Sequence, residues 1–232
     1  MRRIMSYLSQ LWVTDIALTF LLFFLLIHIF LSYSLGVFGS FRLGSTILFS
    51  AILITGTIVA SRNRILRTLV FSWAILAFVF TWVKYWFPHQ IFALIGNSLA
   101  LVFLVLLTAL ILRQAFREGP TTFHRITGAV AAYLMVGLMW SLAYYLVALL
   151  VPGAFNIQSS PGPMHGESLQ SHLFYFSFVT LTTIGYGDIV PVHPIVRMLT
   201  ILEGVVGQLF PAILIARLVS LQVQARRGEK KQ

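Results

Sequence analysis

The sequence contains no cysteine and few charged residues. Without cysteine the chain has no disulfide framework, no thiol nucleophile and no cysteine-ligated metal. Only 9% of its residues are charged, against about 25% in a typical soluble domain. Acidic residues are the scarcest, with six Asp plus Glu against sixteen Lys plus Arg. The bases lie in short segments between apolar runs, so we expect no nucleic-acid partner.

The remaining polar residues form no catalytic or metal-binding pattern. None of the six histidines stands in an HExxH or similar ligand spacing. No nucleophile is paired with a base inside the apolar runs. We therefore expect neither an enzyme nor a protein with a bound cofactor.

Long apolar runs dominate the chain instead, and hydrophobic residues make up 59% of it. A helix needs about 20 mainly apolar residues to cross a bilayer. The candidate segments are residues 11–35, 41–60, 65–87, 91–112, 126–151 and 194–221. Before the last of them comes an aromatic run, 171–182, that is too short to cross. The pattern predicts an all-α membrane protein with six transmembrane helices and one re-entrant helix.

The basic residues predict the orientation of these helices. With the N-terminus inside and the re-entrant segment returning to its own side, thirteen of the sixteen bases are cytoplasmic. The other three, Arg42, Lys84 and Arg197, lie outside. Because cytoplasmic loops are enriched in Lys and Arg, we expect an integral membrane protein, in the plasma membrane, with both termini in the cytoplasm.

The segment TTIGYGD, Thr182 to Asp188, follows the aromatic run. Non-helical backbone at membrane depth is tolerated only where protein buries it or where it lines a water-filled path. Gly185 and Gly187 can adopt positive φ without a Cβ clash. If residues of opposite backbone hand alternate, successive carbonyls can point to one side. Four copies around an axis would then stack oxygen rings that replace the hydration shell of an ion.

With its flanks, this segment reads FSFVTLTTIGYGDIVP and resembles the pore loop of tetrameric potassium channels. The resemblance is specific from about residue 123 to residue 221, and it implies a homotetramer in a lipid bilayer that conducts K+. It places Asp188 at the outer mouth, with Tyr175 and Thr182 as supports. The implied selectivity filter, of which the first four residues hold K+, is Thr183, Ile184, Gly185, Tyr186 and Gly187.

The residues behind the filter differ from those of some relatives. Where some members of that family have a Trp pair and a Glu, this chain has Tyr175, Phe176 and Val179. Only Tyr175 of the three can donate a side-chain hydrogen bond. We therefore expect packing, more than a polar network, to hold the filter.

The last apolar run contains glycines and a proline near its middle. Gly207 and Pro211 predict a hinge, because glycine lacks side-chain bulk and proline removes a backbone hydrogen bond. Close helix packing is the alternative explanation for the glycine. One face of this helix carries the residues that we expect to line a cavity, which are Gln208, Ala212 and Ile215.

Glu203 is the only acidic residue in the middle of an apolar run. A carboxyl group inside a membrane is a functional candidate by default, and Glu203 is a candidate regulatory group that senses protons or cations near the filter or the cavity. The alternative is a protonated or hydrogen-bonded Glu203 that braces the re-entrant helix through a Ser or Thr.

These features divide the chain into four parts. Residues 1–113 form a peripheral domain of four transmembrane helices, 114–125 an interfacial linker, 126–222 the pore domain and 223–232 a short basic cytoplasmic tail. The expected function is passive, K+-selective permeation. An ion-coupled transporter with a channel-like loop is the alternative, although the repeated halves of such transporters are not visible in the sequence.

The run 91–112 contains no charged residue, so we expect the conductance to vary weakly with membrane potential. Voltage gating needs about 3 to 4 charges per subunit, each worth about 2.3 kcal/mol per 100 mV. Currents in a planar bilayer with symmetric K+ should be nearly linear from about −100 to +100 mV, a range in which such charges would act strongly. A steep conductance curve that flattens in the double variant Arg64→Gln, Arg67→Gln would contradict this prediction and place a sensor in the third run.

Overall fold

The computed structural model describes residues 16–31, 42–59, 64–116, 123–158 and 166–229. Helices make up most of this part of the chain, and two strands of three residues complete it. The helices are α1 Ile16–Leu31, α2 Arg42–Val59, α3 Arg64–Trp86, α4 Gln90–Ala115, α5 Phe123–Leu150, α6 Gly166–Leu181 and α7 Pro194–Glu229. The strands are β1 Phe155–Ile157 and β2 Ile189–Pro191.

Four of the described helices are long and apolar enough to cross a membrane, with apolar stretches Thr68–Trp86, Gln90–Ala115, Arg125–Leu150 and Pro194–Ser220. They coincide with the third to sixth predicted runs. The first two runs coincide with α1 and α2, whose apolar stretches are shorter, and both ends of the first run lie outside the described residues. The structure is that of a helical membrane protein, and the count of six spans stays a prediction.

Helices α1 to α5 share one apolar core. α4 packs against α3 on one side and α5 on the other, and its Phe103 and Leu107 are fully buried. Gly56 of α2 allows a close approach there, because a Cβ at this position would overlap the Leu107 side chain. The same core includes Leu21 and Leu25 of α1. The peripheral helices are thereby anchored on the first helix of the predicted pore domain.

Several polar side chains within these apolar helices are satisfied internally, whereas the buried His28 Nδ1 and Trp82 Nε1 have no hydrogen-bond partner among the described residues. Thr81 donates to the carbonyl one turn earlier, at 2.7 Å from Ala77 O. Asn97, which is buried, accepts from Lys84 Nζ at 3.0 Å and donates to Ala93 O at 2.8 Å. Such pairing is required where no water reaches the backbone and side chains.

The second core cluster lies between α5, α6, α7 and a small sheet, and it includes Tyr144, Leu173 and Phe176. β1 and β2 pair antiparallel, with Phe155 opposite Pro191 and Ile157 opposite Ile189. The sequence pattern does not indicate this sheet, because each strand has only three residues.

α6 covers most of the aromatic run 171–182 and ends at Leu181, immediately before the TTIGYGD segment; that this helix is re-entrant stays a prediction. α7 continues as one helix to Glu229. Its 36 residues make it about 54 Å long. The first residues of the predicted tail, 223–232, therefore belong to this helix.

Candidate functional site

The loop that joins α6 to β2 has an alternating backbone. φ is positive at Thr183 (61°), Gly185 (58°) and Gly187 (80°). Among the described residues Thr183 is the only non-glycine with positive φ, so Ile184 and Tyr186 have the ordinary sign. The left-handed conformation costs a residue with a Cβ about 1–2 kcal/mol, yet Thr183 adopts it. The loop thus meets the backbone condition for carbonyls that point to one side.

The start of the loop is tied to the last turn of α6. The amides of Ile184 and Gly185 both donate to the Val179 carbonyl, at 3.0 and 3.3 Å. The predicted support residue Thr182 directs its hydroxyl back to the Phe178 carbonyl at 2.6 Å. Val179, which has no polar side chain, therefore supports the loop through its backbone.

The end of the loop is tied to the segment that precedes α6. The amide of Gln158 donates to Asp188 O at 3.1 Å, and its side-chain Nε2 donates to Gly187 O at 3.4 Å. Next to them the β1–β2 sheet forms, and the Val192 amide donates to Ala154 O at 2.9 Å. Gln158 was not predicted as a site residue, because nothing in the adjacent sequence distinguishes it from an ordinary polar loop residue.

The large side chains of the loop are not covered by the chain itself. Tyr186 is 69% exposed and Ile184 is 54% exposed. Tyr175 packs against the cluster that includes Tyr144 and Phe176, and its role as a support of the filter stays a prediction.

Gly207 of α7 is buried against the end of α6. A Cβ at this position would overlap the carbonyl oxygen of Leu181, the last residue of α6. The same carbonyl accepts a hydrogen bond from Tyr133 Oη at 3.2 Å. Close helix packing, one of the two explanations for this glycine, is therefore present, and the hinge stays a prediction.

The other predicted residues of α7 lie beyond this contact. α7 passes through Pro211 without ending. The residues predicted to line a cavity are all exposed in the single chain, and they are Gln208, Ala212 and Ile215.

Residues 132–224 match the family model described as Ion channel. The chain is 38% identical over 89 residues to the two pore potassium channel c of Oryza sativa subsp. japonica. It is 29% identical over 87 residues to protein LctB of Bacillus caldotenax. Each match takes in 38% of this chain, and the chain spans 17% of the rice protein and 64% of LctB. These likenesses support an ion channel function, a family of potassium channel type and an integral membrane protein.

Residues 132–224, which match the ion channel model, are called the channel-like region here. Within it, Glu203 lies one helical turn before Gly207 and is fully buried. Its Oε1 lies 2.6 Å from Ser177 Oγ of α6, and its Oε2 accepts a hydrogen bond from Tyr144 Oη of α5 at 2.6 Å. The bracing contact through a Ser, one of the two interpretations from sequence, is present. Tyr144 was not among the predicted partners, because it is 59 positions away from Glu203 in the sequence.

The far part of α7 also contacts the peripheral helices. Arg217 Nη2 donates to the carbonyl of Phe116 at 3.4 Å, and Phe116 caps the C-terminus of α4. A cation at this end of a helix is favourable because the helix dipole is negative there. The channel-like region is thus attached to α4 at the predicted linker.

The contact at Leu181 predicts that Gly207→Ala destabilises the protein by about 1–3 kcal/mol, as overpacking usually does, because the added methyl group must push α7 away from a backbone carbonyl. Gly204→Ala is the matched control, since among the described residues no atom outside its own stretch of α7 lies within 4 Å of its added Cβ. Thermal unfolding of the purified protein in detergent measures both effects. Equal melting temperatures for the two variants would contradict the close contact.

Proposed function

We propose that four copies of this chain assemble around one axis and form a K+-selective pore. The alternating backbone from Thr183 to Gly187 carries the proposal, because it can turn successive carbonyls to one side of each chain. Four such rows facing one axis replace the hydration shell of a K+ ion with protein oxygens. The likeness to a protein named as a potassium channel supports this choice of ion.

The proposed K+ ligands are the backbone carbonyls of residues 183–186 and the hydroxyl of Thr183, with Asp188 at the outer mouth. Hydrogen bonds from Gln158 and to Val179 hold the loop from two sides, so its shape does not depend on the ion alone. α6 ends beside the loop, and the negative end of its dipole, equivalent to about half a charge, stabilises a cation on the axis.

Assembly into a tetramer is proposed because a single chain supplies one loop and leaves much apolar surface uncovered. Tyr186 projects from the loop, and a groove lined by Thr180, Thr200 and Gly204 opens beside it. Along α7, Met198 and Ile201 are 65% and 66% exposed. Neighbouring subunits and lipid would together cover these surfaces.

In the proposed arrangement, all six apolar helices cross the plasma membrane, both termini are cytoplasmic, and K+ flows passively down its gradient. The excess of bases on one side supports the orientation. The length and hydropathy of α3, α4, α5 and α7 support four of the crossings. The uncharged run of residues 91–112 within α4 supports a conductance without steep voltage dependence.

Gly185→Ala should abolish K+ current or reduce the discrimination between K+ and Na+, because a Cβ at φ 58° strains the loop and rotates its carbonyls. Gly153→Ala is the matched control, because Gly153 also has positive φ (79°) and open space around it but lies outside the loop. Reversal potentials under K+ and Na+ gradients in proteoliposomes measure selectivity. Unchanged selectivity in Gly185→Ala would remove the filter from this segment.

The purified, conducting protein should have the mass of a tetramer, since one loop per chain provides only a quarter of each oxygen ring. Native mass measurement in detergent and cross-linking in proteoliposomes both report this stoichiometry. A conducting species that is a stable monomer or dimer would overturn the proposed assembly.

A further inference from the structure

The carboxyl group of Glu203 lies among buried oxygen atoms of the neighbouring helices α5 and α6. Glu203, Tyr144 and Ser177 are all 0% exposed. Oε2 is 2.6 Å from Tyr144 Oη, and Oε1 is 2.6 Å from Ser177 Oγ. Ser177 Oγ is in turn 2.8 Å from the carbonyl oxygen of Gly137. Three helices, α5, α6 and α7, meet in this chain of short contacts.

The number of hydroxyl hydrogens available for these contacts determines which protonation state of Glu203 fits them. A serine hydroxyl has one hydrogen to donate, and a backbone carbonyl has none. If Ser177 donates to Gly137 O, the hydrogen in its contact with Glu203 must come from the carboxyl group. Tyr144 then donates to Oε2, which is the carbonyl oxygen of a carboxylic acid. A neutral Glu203 satisfies all three contacts.

An ionised Glu203 satisfies only two of them. Ser177 would have to donate to Oε1, and its contact with Gly137 O would hold two oxygen atoms together without a hydrogen. The negative charge would also be buried without a cation. Within the described part of the chain, the side chains that act on Glu203 are Ser177 and Tyr144, with Tyr133 at longer range. An isolated charge in such surroundings is very unfavourable.

We propose that Glu203 carries a proton in the native protein, and that this proton completes a hydrogen-bond chain from α7 through Ser177 to α5. Glu203 is a positioning residue, because it touches no proposed K+ ligand. Ser177 lies half a turn before Val179, whose carbonyl accepts the amides of Ile184 and Gly185. Loss of the proton frees this turn of α6 and disturbs the loop.

The effect of losing this proton on K+ conduction rests on the proposed function, and it is expected at alkaline pH. Loss of the proton requires a high pH, so K+ flux falls as pH rises. In the described residues, the titratable groups facing Glu203 from α5 are Tyr144 and Tyr133. α6 presents only the uncharged Ser177, and on α7 the neighbouring polar side chain is Thr200, beside the Tyr144 hydroxyl.

Infrared spectroscopy of the purified protein tests the protonation without reference to conduction. The wild type should show the carbonyl stretch of a protonated carboxylic acid at neutral pH, and Glu203→Gln should lack it. Tyr144→Phe, which keeps the ring, should shift this band because its hydrogen bond to Oε2 is lost. A wild-type spectrum without the band, or a band that persists in Glu203→Gln, overturns the proposal.

K+ flux into proteoliposomes tests the positioning role. Glu203→Gln keeps one donor and one acceptor in the same place, so it should conduct at neutral pH and lose the alkaline inhibition of the wild type. Glu203→Ala, which breaks the chain, should conduct poorly at every pH. Inhibition that is identical in the wild type and in Glu203→Gln overturns the role of Glu203. Absence of K+ flux in the wild type together with a normal infrared band would instead reject the proposed function and leave the protonation supported.

Discussion

The contact between the last turn of α6 and the middle of α7 determines where the loop begins. Two residues of each helix form it, Ser177 with Glu203 and Leu181 with Gly207. The spacing is four residues on both helices, so each pair lies on one helical face and the two contacts are in register. α6 cannot slide or rotate against α7 without breaking both. The position of the loop that follows Leu181 is therefore fixed by this contact.

The loop could be predicted from sequence because its constraints are local. Gly185 and Gly187 are the residues that most easily take positive φ, and both take it. Thr183 could not be predicted in the same conformation, since a threonine disfavours it. Thr183 adopts it nonetheless, and its amide donates to Thr180 O at 2.9 Å. The apolar helices could also be predicted, because a run of about 20 mainly apolar residues is visible in the sequence without knowledge of tertiary contacts.

Two supports of the loop, the Gln158 side chain and the Val179 carbonyl, could not be predicted, because the first is distant in the chain and the second is a backbone atom. Gln158 lies 29 positions from Gly187, and only folding brings the two together. Val179 was expected to support the filter by packing, because its side chain is apolar. The structure uses the carbonyl of Val179 instead. A Ser partner for Glu203 was a foreseeable alternative, whereas the Tyr144 hydroxyl depends on how α5 and α7 pack.

The attachment of the loop at both ends has a consequence for assembly. Because Val179 and Gln158 belong to the same chain as the loop, its shape is set when each subunit folds. In the proposed tetramer, subunits would meet with preorganised surfaces, and association would not have to bear the conformational entropy of ordering four flexible segments. An arriving ion would likewise meet oxygens that are already arranged. The order of the proposed pore would then originate in the single chain, and fourfold symmetry would only repeat it.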